Sequence, residues 1–190
     1  MSLLTVCEWL ERTRWSIALH QSLYAYAVVE SIHVWALCLF VGFAAMMDLR
    51  LVGVTFRRVP VSQLVARLLP WTRVGFVVMV MSGALLFYAI PVRSYQSVFF
   101  RLKLVLLVLA GLNAWLFHWG IYRRVTTWDL DARPPRRARI AGALSLLLWA
   151  AIIFSGRMIA YNWFDCGRPQ SDLINFLAGC GDYVDPYAAP

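Results

Sequence analysis

The chain has 190 residues, of which 61% are hydrophobic and only 15% charged, with a mean hydropathy of +0.65. A soluble domain of this size carries more charge and fewer long apolar runs, so the composition excludes one and defines an integral membrane protein. The net charge of +8 rests on seventeen arginines and a single lysine, Lys103. In a membrane protein such a balance belongs to loops facing anionic lipid, and with no soluble basic domain nucleic-acid binding is excluded too.

Residues 1–24 open with MSLLTVCEWLERTRWSIALH. They lack a positive start followed by an unbroken apolar core, so no cleavable signal peptide is expected. Leu3, Leu4, Val6, Trp9 and Leu10 beside Glu8, Glu11, Arg12 and Arg14 predict one helix lying in the membrane interface, with Trp9 and Trp15 at headgroup depth. Four apolar runs follow, each long enough to cross a hydrocarbon core of about 30 Å. They are Ala25 to Met47, Val74 to Val92, Leu104 to Tyr122 and Ile140 to Phe164. The expected fold is therefore all-α: a four-helix transmembrane bundle over 25–164 with a tail over 165–190.

The segment between the first two spans sets Asp48 against five arginines. Within it, VPVSQLVARLL predicts a short helix resting on the membrane and ended by Pro70. The segment between spans three and four holds six arginines and two aspartates, and Pro134-Pro135 makes it a loop. Both basic segments fall on one side, which the positive-inside rule assigns to the cytoplasm. The termini and the Arg93 to Lys103 connection then face the periplasm, as does a tail with Asp165, Asp172, Asp182 and Asp185. Cys166 and Cys180 lie on that oxidising side. A disulfide between them would contribute about 3 kcal/mol by loop closure, and the alternative is two free thiols. Gly42, Gly75, Ser82-Gly83-Ala84, Gly111 and Gly142 let helices approach closely or leave room for a flat macrocycle.

Ionisable side chains inside a span mark function by default, because lipid makes them costly. Glu30 and His33 are three apart on one face of the first span. A neutral imidazole at mid-depth is the usual ligand of haem b, which makes His33 and His118 the ligand candidates. Their depths differ by roughly 10–12 Å at 1.5 Å per residue, awkward for two ligands of one iron. His20 and His33 lie on opposing faces unless the helix breaks near Gln21-Ser22. A di-iron site would need a second Glu-x-x-His and two more carboxylates, which the spans do not supply. Arg157, read as seven residues inside its span, needs a partner there. Glu30, a haem propionate and a quinol headgroup each qualify. His118 is ringed by Trp115, Trp119 and Tyr122, an aromatic belt at the inner interface, and Asn113 offers an interhelical hydrogen bond.

The segments ESIHVWALCLFVG, MMDLRLVGV, LLPWTRVGFVVMVMSGALLF, FRLKLVLLVLAGLNAWLFH and SGRMIAY resemble a family of bacterial four-helix inner-membrane proteins of unknown function over residues 25–162. More remotely, a first-helix histidine, an Arg-Leu ending to that helix and a third-helix lysine followed by a histidine resemble two other groups. These are the membrane protoporphyrinogen oxidases of the HemJ type and the copper-resistance membrane proteins of the CopD type. The HemJ resemblance implies haem b, with His33 and His118 as ligands and Lys103 and Arg157 as supporting basic groups, although the Lys103–His118 spacing is longer here.

The expectation is a cytochrome-b-like subunit of the bacterial inner membrane that binds haem b and moves electrons between the quinone pool and a redox partner. His33 is its first ligand, His118 the second, Arg157 a propionate partner and Glu30 a proton carrier. The alternative is a cofactor-free accessory subunit with another membrane or periplasmic protein, or a second copy of itself, as partner. No nucleophile and base arrangement of a stand-alone enzyme is evident.

Overall fold

The computed structural model describes residues 3–161, 164, 166 and 170–180. Four helical segments in it are long and apolar enough to cross a membrane: Ala25–Val52, Val61–Ala89, Val98–Thr127 and Arg136–Tyr161. The chain is an all-α, four-span bundle.

The region before the first span is two helices, not one: α1 (Leu3–Glu11) and α2 (Arg14–Gln21). Thr13 breaks them apart. Its hydroxyl donates to the Leu10 carbonyl, pairs with the Tyr88 hydroxyl and receives the Ser16 amide as the N-cap of α2. Ser16, fully buried, donates to the Tyr88 carbonyl at 2.8 Å, so the pair is fastened to the end of the second span. Trp9 and Trp15 stay outside, 67% and 80% exposed, as interfacial anchors do.

Helix α3 (Ala25–Val52) runs past Met47, where the expected span ended, and carries Asp48 and Arg50 within it. Both are buried in protein instead of lipid, so neither stops the helix. Gly53 ends it in the left-handed conformation, φ +84°. Helix α4 (Val61–Ala89) is continuous through Pro70, which corrects the expectation of a separate surface helix. Proline is tolerated inside spans where neighbouring helices and hydroxyls satisfy the backbone around it. Pro70 itself is exposed, and two residues on the Thr72 hydroxyl donates to the carbonyl of Leu68 at 2.8 Å. A short α5 (Pro91–Tyr95) leads to α6 (Val98–Leu116), which begins before Leu104 because Ser97 caps it through the Phe100 amide. A π turn (Phe117–Ile121) and a 3₁₀ turn (Tyr122–Thr127) end the third span. Helix α7 (Arg136–Met158) closes the bundle, and α8 (Asp172–Ala178) lies in the tail.

Helix α3 packs on α4 and on α7, and α7 packs on α6. The rings of Phe87 and Phe100, stacked 5.5 Å apart, link α4 to α6. At mid-bundle Phe40 stands edge-on to Trp149 at 4.8 Å, with Ala36 and Met79 buried beside it. Two glycines set the helix spacing. A Cβ on Gly75 would stand 3.0 Å from the Phe40 amide nitrogen, and one on Gly142 would stand 3.0 Å from the Asp48 carbonyl oxygen. Asn113 ties α6 to α7 by donating to the Ala141 carbonyl at 3.0 Å.

Each end of the bundle is pinned by an arginine. At the arginine-rich end Arg50, 0% exposed, donates to the carbonyls of Val59 (2.8 Å), Asp131 (3.1 Å) and Asp129 (3.3 Å). Asp129 in turn caps α4, accepting the Ser62 amide at 2.7 Å and its hydroxyl at 2.6 Å. At the opposite end Cys166 and Cys180 are bonded, their Cα atoms 5.5 Å apart. There Arg101 donates to the carbonyls of Tyr95 (3.0 Å) and Leu177 (2.9 Å). Asp165, Asp182 and Asp185 of the expected acidic tail lie outside the described residues.

Gly179 has φ +65°, and a Cβ there would run into the Arg101 guanidinium. Gly179→Ala is therefore expected to add about 1–2 kcal/mol of left-handed strain to that clash. Hydrogen exchange over residues 170–180 should accelerate in the variant, and unchanged protection would contradict the Arg101 pin.

Candidate functional site

His33 and Ser82 meet between α3 and α4 in the disulfide half of the bundle, while Lys103 of α6 lies against α7 at Gly156. His33 comes from α3, Ser82 from α4 and Lys103 from α6, while α7 contributes Gly156. His33 Nδ1 lies 3.0 Å from Ser82 Oγ. Ser82 Oγ donates to the Val78 carbonyl at 2.6 Å, as helix hydroxyls in lipid commonly do. With its one hydrogen committed there, the bond to His33 takes the imidazole as donor from Nδ1. Nε2 of the neutral ring then keeps its lone pair. This tautomer is assigned from the hydrogen-bond network.

The ring needs Gly83 beside it, since a Cβ there would stand 3.1 Å from His33 Cε1. Lys103 crosses α7 at Gly156, its Nζ 3.5 Å from where a Cβ would be. Its ammonium is near enough to act electrostatically on the His33 ring. Ser155, buried next to Gly156, donates to the Ala151 carbonyl at 2.8 Å. The arrangement is an oriented imidazole with one open acceptor, half-buried beside a half-buried cation. It can ligate a metal, accept a proton or hold an anion.

The other expected site residues do not join this centre. Lys103 and His118 are fifteen residues apart on one helical segment, about 22 Å at 1.5 Å per residue. His118 is exposed on the π turn and stacks on Tyr122, ring centroids 5.6 Å apart. Tyr122 packs on the cluster of Leu51, Val61 and Trp128 at the arginine-rich end. Arg157 is in the last turn of α7 and exposed. It lies over the Tyr161 ring and donates to its hydroxyl at 3.4 Å, so it turns to Tyr161 and not to Glu30. Glu30 is also exposed, and its charge and that of Arg93 act on Tyr26. The helix does break between Gln21 and Ala25, the condition for pairing His20 with His33. Yet His20 lines a surface cleft with Tyr26, seven residues or about 10 Å along the helix from His33.

Two features had little signal in the sequence. Ser82 and Gly83 stood out only as small residues, with nothing to say that they face His33. Asp48 is 9% exposed in the other half of the bundle, near Ser145, and its Oδ2 has no partner among the described residues. Among those residues no cluster of three metal-ligating side chains forms.

The architecture defines a four-span membrane protein in which His33 and Ser82 pair across two of the spans. The chain belongs to a family of unknown function (DUF6644), whose pattern matches residues 8–162. Comparisons with curated proteins and with solved structures return no match.

Proposed function

We propose that the chain is a membrane redox subunit that binds haem b through His33 and passes electrons between the quinone pool and a partner protein. The observation that carries this reading is the state of the imidazole. A ring whose Nδ1 is held by a hydrogen bond and whose Nε2 lone pair is open is the form in which histidine ligates iron. His33 would hold such a group by one ring nitrogen, and Lys103 would offer an ammonium to an anionic substituent of it. Haem, when bound, supplies a one-electron couple whose potential depends on ligand and burial.

The chain's own residues do the rest. His33 holds, Ser82 fixes the tautomer, and Lys103 offsets negative charge. Glu30, exposed one turn nearer the membrane boundary, exchanges the proton of a quinol. The resemblance to the HemJ type, in its first-helix histidine and third-helix lysine, favours the same reading. The bis-histidine form is set aside, because His118 is exposed and stacks on Tyr122 at the arginine-rich end, away from the His33–Ser82 contact. Arg157 is likewise set aside as a propionate partner. The arginine-rich end faces the cytoplasm of a bacterial inner membrane, and both termini face the periplasm.

A second reading rests on the same bond. His33 to Ser82 also ties α3 to α4, which a cofactor-free accessory subunit would need. Replacing the two histidines separates the readings. With haem bound, His33→Ala is expected to lose at least about tenfold in haem content, as loss of an inner ligand does, while His118→Ala keeps it. Equal haem retention in both would overturn the assignment of His33.

A further inference from the structure

We infer that α8 is an interfacial foot, held by the disulfide and by Arg101 so that Leu173, Phe176 and Leu177 seat in the lipid leaflet at that end of the bundle. The inference does not depend on a ligand at His33. In the sequence DLINFLA these three residues are spaced i, i+3 and i+4, so the helix gathers them on one face. Leu173 and Phe176 are 67% and 80% exposed, and Leu177 is exposed beside them. Ala178, on the opposite face, is fully buried and turns α8 toward α6. A helix of seven residues does not hold itself together in water. Here two tethers hold it. Cys180 is bonded to Cys166, and Arg101 donates to the Leu177 carbonyl at 2.9 Å, at the negative pole of the helix. So short a helix, doubly fastened with its largest side chains turned away from the protein, needs an apolar cover for them.

Depth identifies that cover. Arg101 is in the first turn of α6, about 4.5 Å along the axis from Val98, where the third span begins. The Val98 amide donates to the Phe164 carbonyl at 3.2 Å, and the Phe99 and Phe164 rings lie 5.6 Å apart. The chain entering the tail therefore returns to the same level. Headgroups add about 5–8 Å to each side of the hydrocarbon, and an amphipathic helix in that layer sets its apolar face at the acyl boundary. Along α6 from Arg101, Leu102 and Val105 are exposed on the lipid-facing surface of the span. Leu173, Phe176 and Leu177 continue that surface past its end. A protein partner fits less well. Three such side chains offer less than about 600 Å², short of the roughly 800 Å² per partner of a stable interface.

Photolabelling of the full wild-type chain in nanodiscs tests this. The probe is a phosphatidylcholine with a diazirine near the glycerol end of one acyl chain, and adducts are mapped by mass spectrometry after reduction and digestion. Adducts on Leu173, Phe176 and Leu177 at a level comparable to those on Leu102 and Val105 are the expected result. The triple variant Arg101→Gln, Cys166→Ser, Cys180→Ser cuts both tethers. It should lose the α8 adducts by about threefold or more while keeping those on α6, since neither the short helix nor its position then persists. Labelling of α6 without labelling of α8 in the wild type would overturn the inference, whatever the variant's folding. Undiminished α8 labelling in a folded triple variant would overturn it as well.

Discussion

Arg50→Ala should lower the thermal midpoint of the detergent-solubilised protein more than removal of any exposed arginine. The side chain is fully buried and bonds three backbone carbonyls in two separate loops. Its loss leaves those carbonyls of Val59, Asp129 and Asp131 without their donor and opens a cavity the size of the guanidinium. Hydrogen bonds to charged donors contribute about 1.5–3 kcal/mol each, and leaving a buried acceptor unsatisfied costs about 1–3 kcal/mol. An effect in that upper range is expected. Arg50→Lys should recover only part of it, because an ammonium cannot reproduce the planar fork that reaches both loops. Protease cutting between Gly53 and Pro60 should rise in parallel. The exposed Arg58 provides the control: Arg58→Ala should melt with the wild type. A midpoint for Arg50→Ala within a degree or two of the wild type would refute the pin.

The second large effect is expected at Gly75. Even a methyl group there meets the Phe40 amide at 3.0 Å and the Leu39 side chain at 3.1 Å, and backbone cannot move aside as a side chain can. Gly75→Ile should therefore force α3 from α4 and cost at least about 1–3 kcal/mol, the usual range for overpacking. It should also weaken the His33–Ser82 contact, which spans the same helix pair. Gly111 is the matched control, with nothing within 4 Å of its Cβ position. Gly111→Ile should be neutral or slightly stabilising, since glycine is a poor helix former. Comparing the two melting midpoints checks the prediction, and equal effects would contradict the packing described here.

The same glycines show where sequence reading stops. All-α architecture and the existence of four spans were legible because apolar length alone dictates them. The span limits were not. Asp48, Arg50 and Pro70 read as stops on a lipid scale, yet Asp48 and Arg50 are housed by protein neighbours that no linear pattern displays, and Pro70 sits exposed in an unbroken helix. Gly42, Gly75, Gly111 and Gly142 look alike in the sequence, but only Gly75 and Gly142 carry a close helix approach. The site was partly legible. His33 drew attention as an ionisable group in an apolar run, and Lys103 through the resemblance, from a connection that proves to be the first part of α6. The first span was drawn too short: α3 runs on to Val52, which moves the midpoint of that span inward and His33 further outward from it. Arg157 looked buried because its helix was drawn to Phe164, whereas α7 ends at Met158 and the guanidinium turns to Tyr161. What Ser82 does for His33 had no signal, since a hydroxyl in a span usually bonds only its own helix.

The central claim is that the open nitrogen of His33 serves an iron. The absorption spectrum of the full-length protein, purified from membranes in mild detergent and reduced with dithionite, tests it most directly. A Soret band with the α and β bands of protohaem, lost in His33→Ala and kept in His118→Ala, is the predicted result. A folded, helical preparation with no visible absorption after expression with ample haem would contradict it, and would leave His33 as a clamp between two helices.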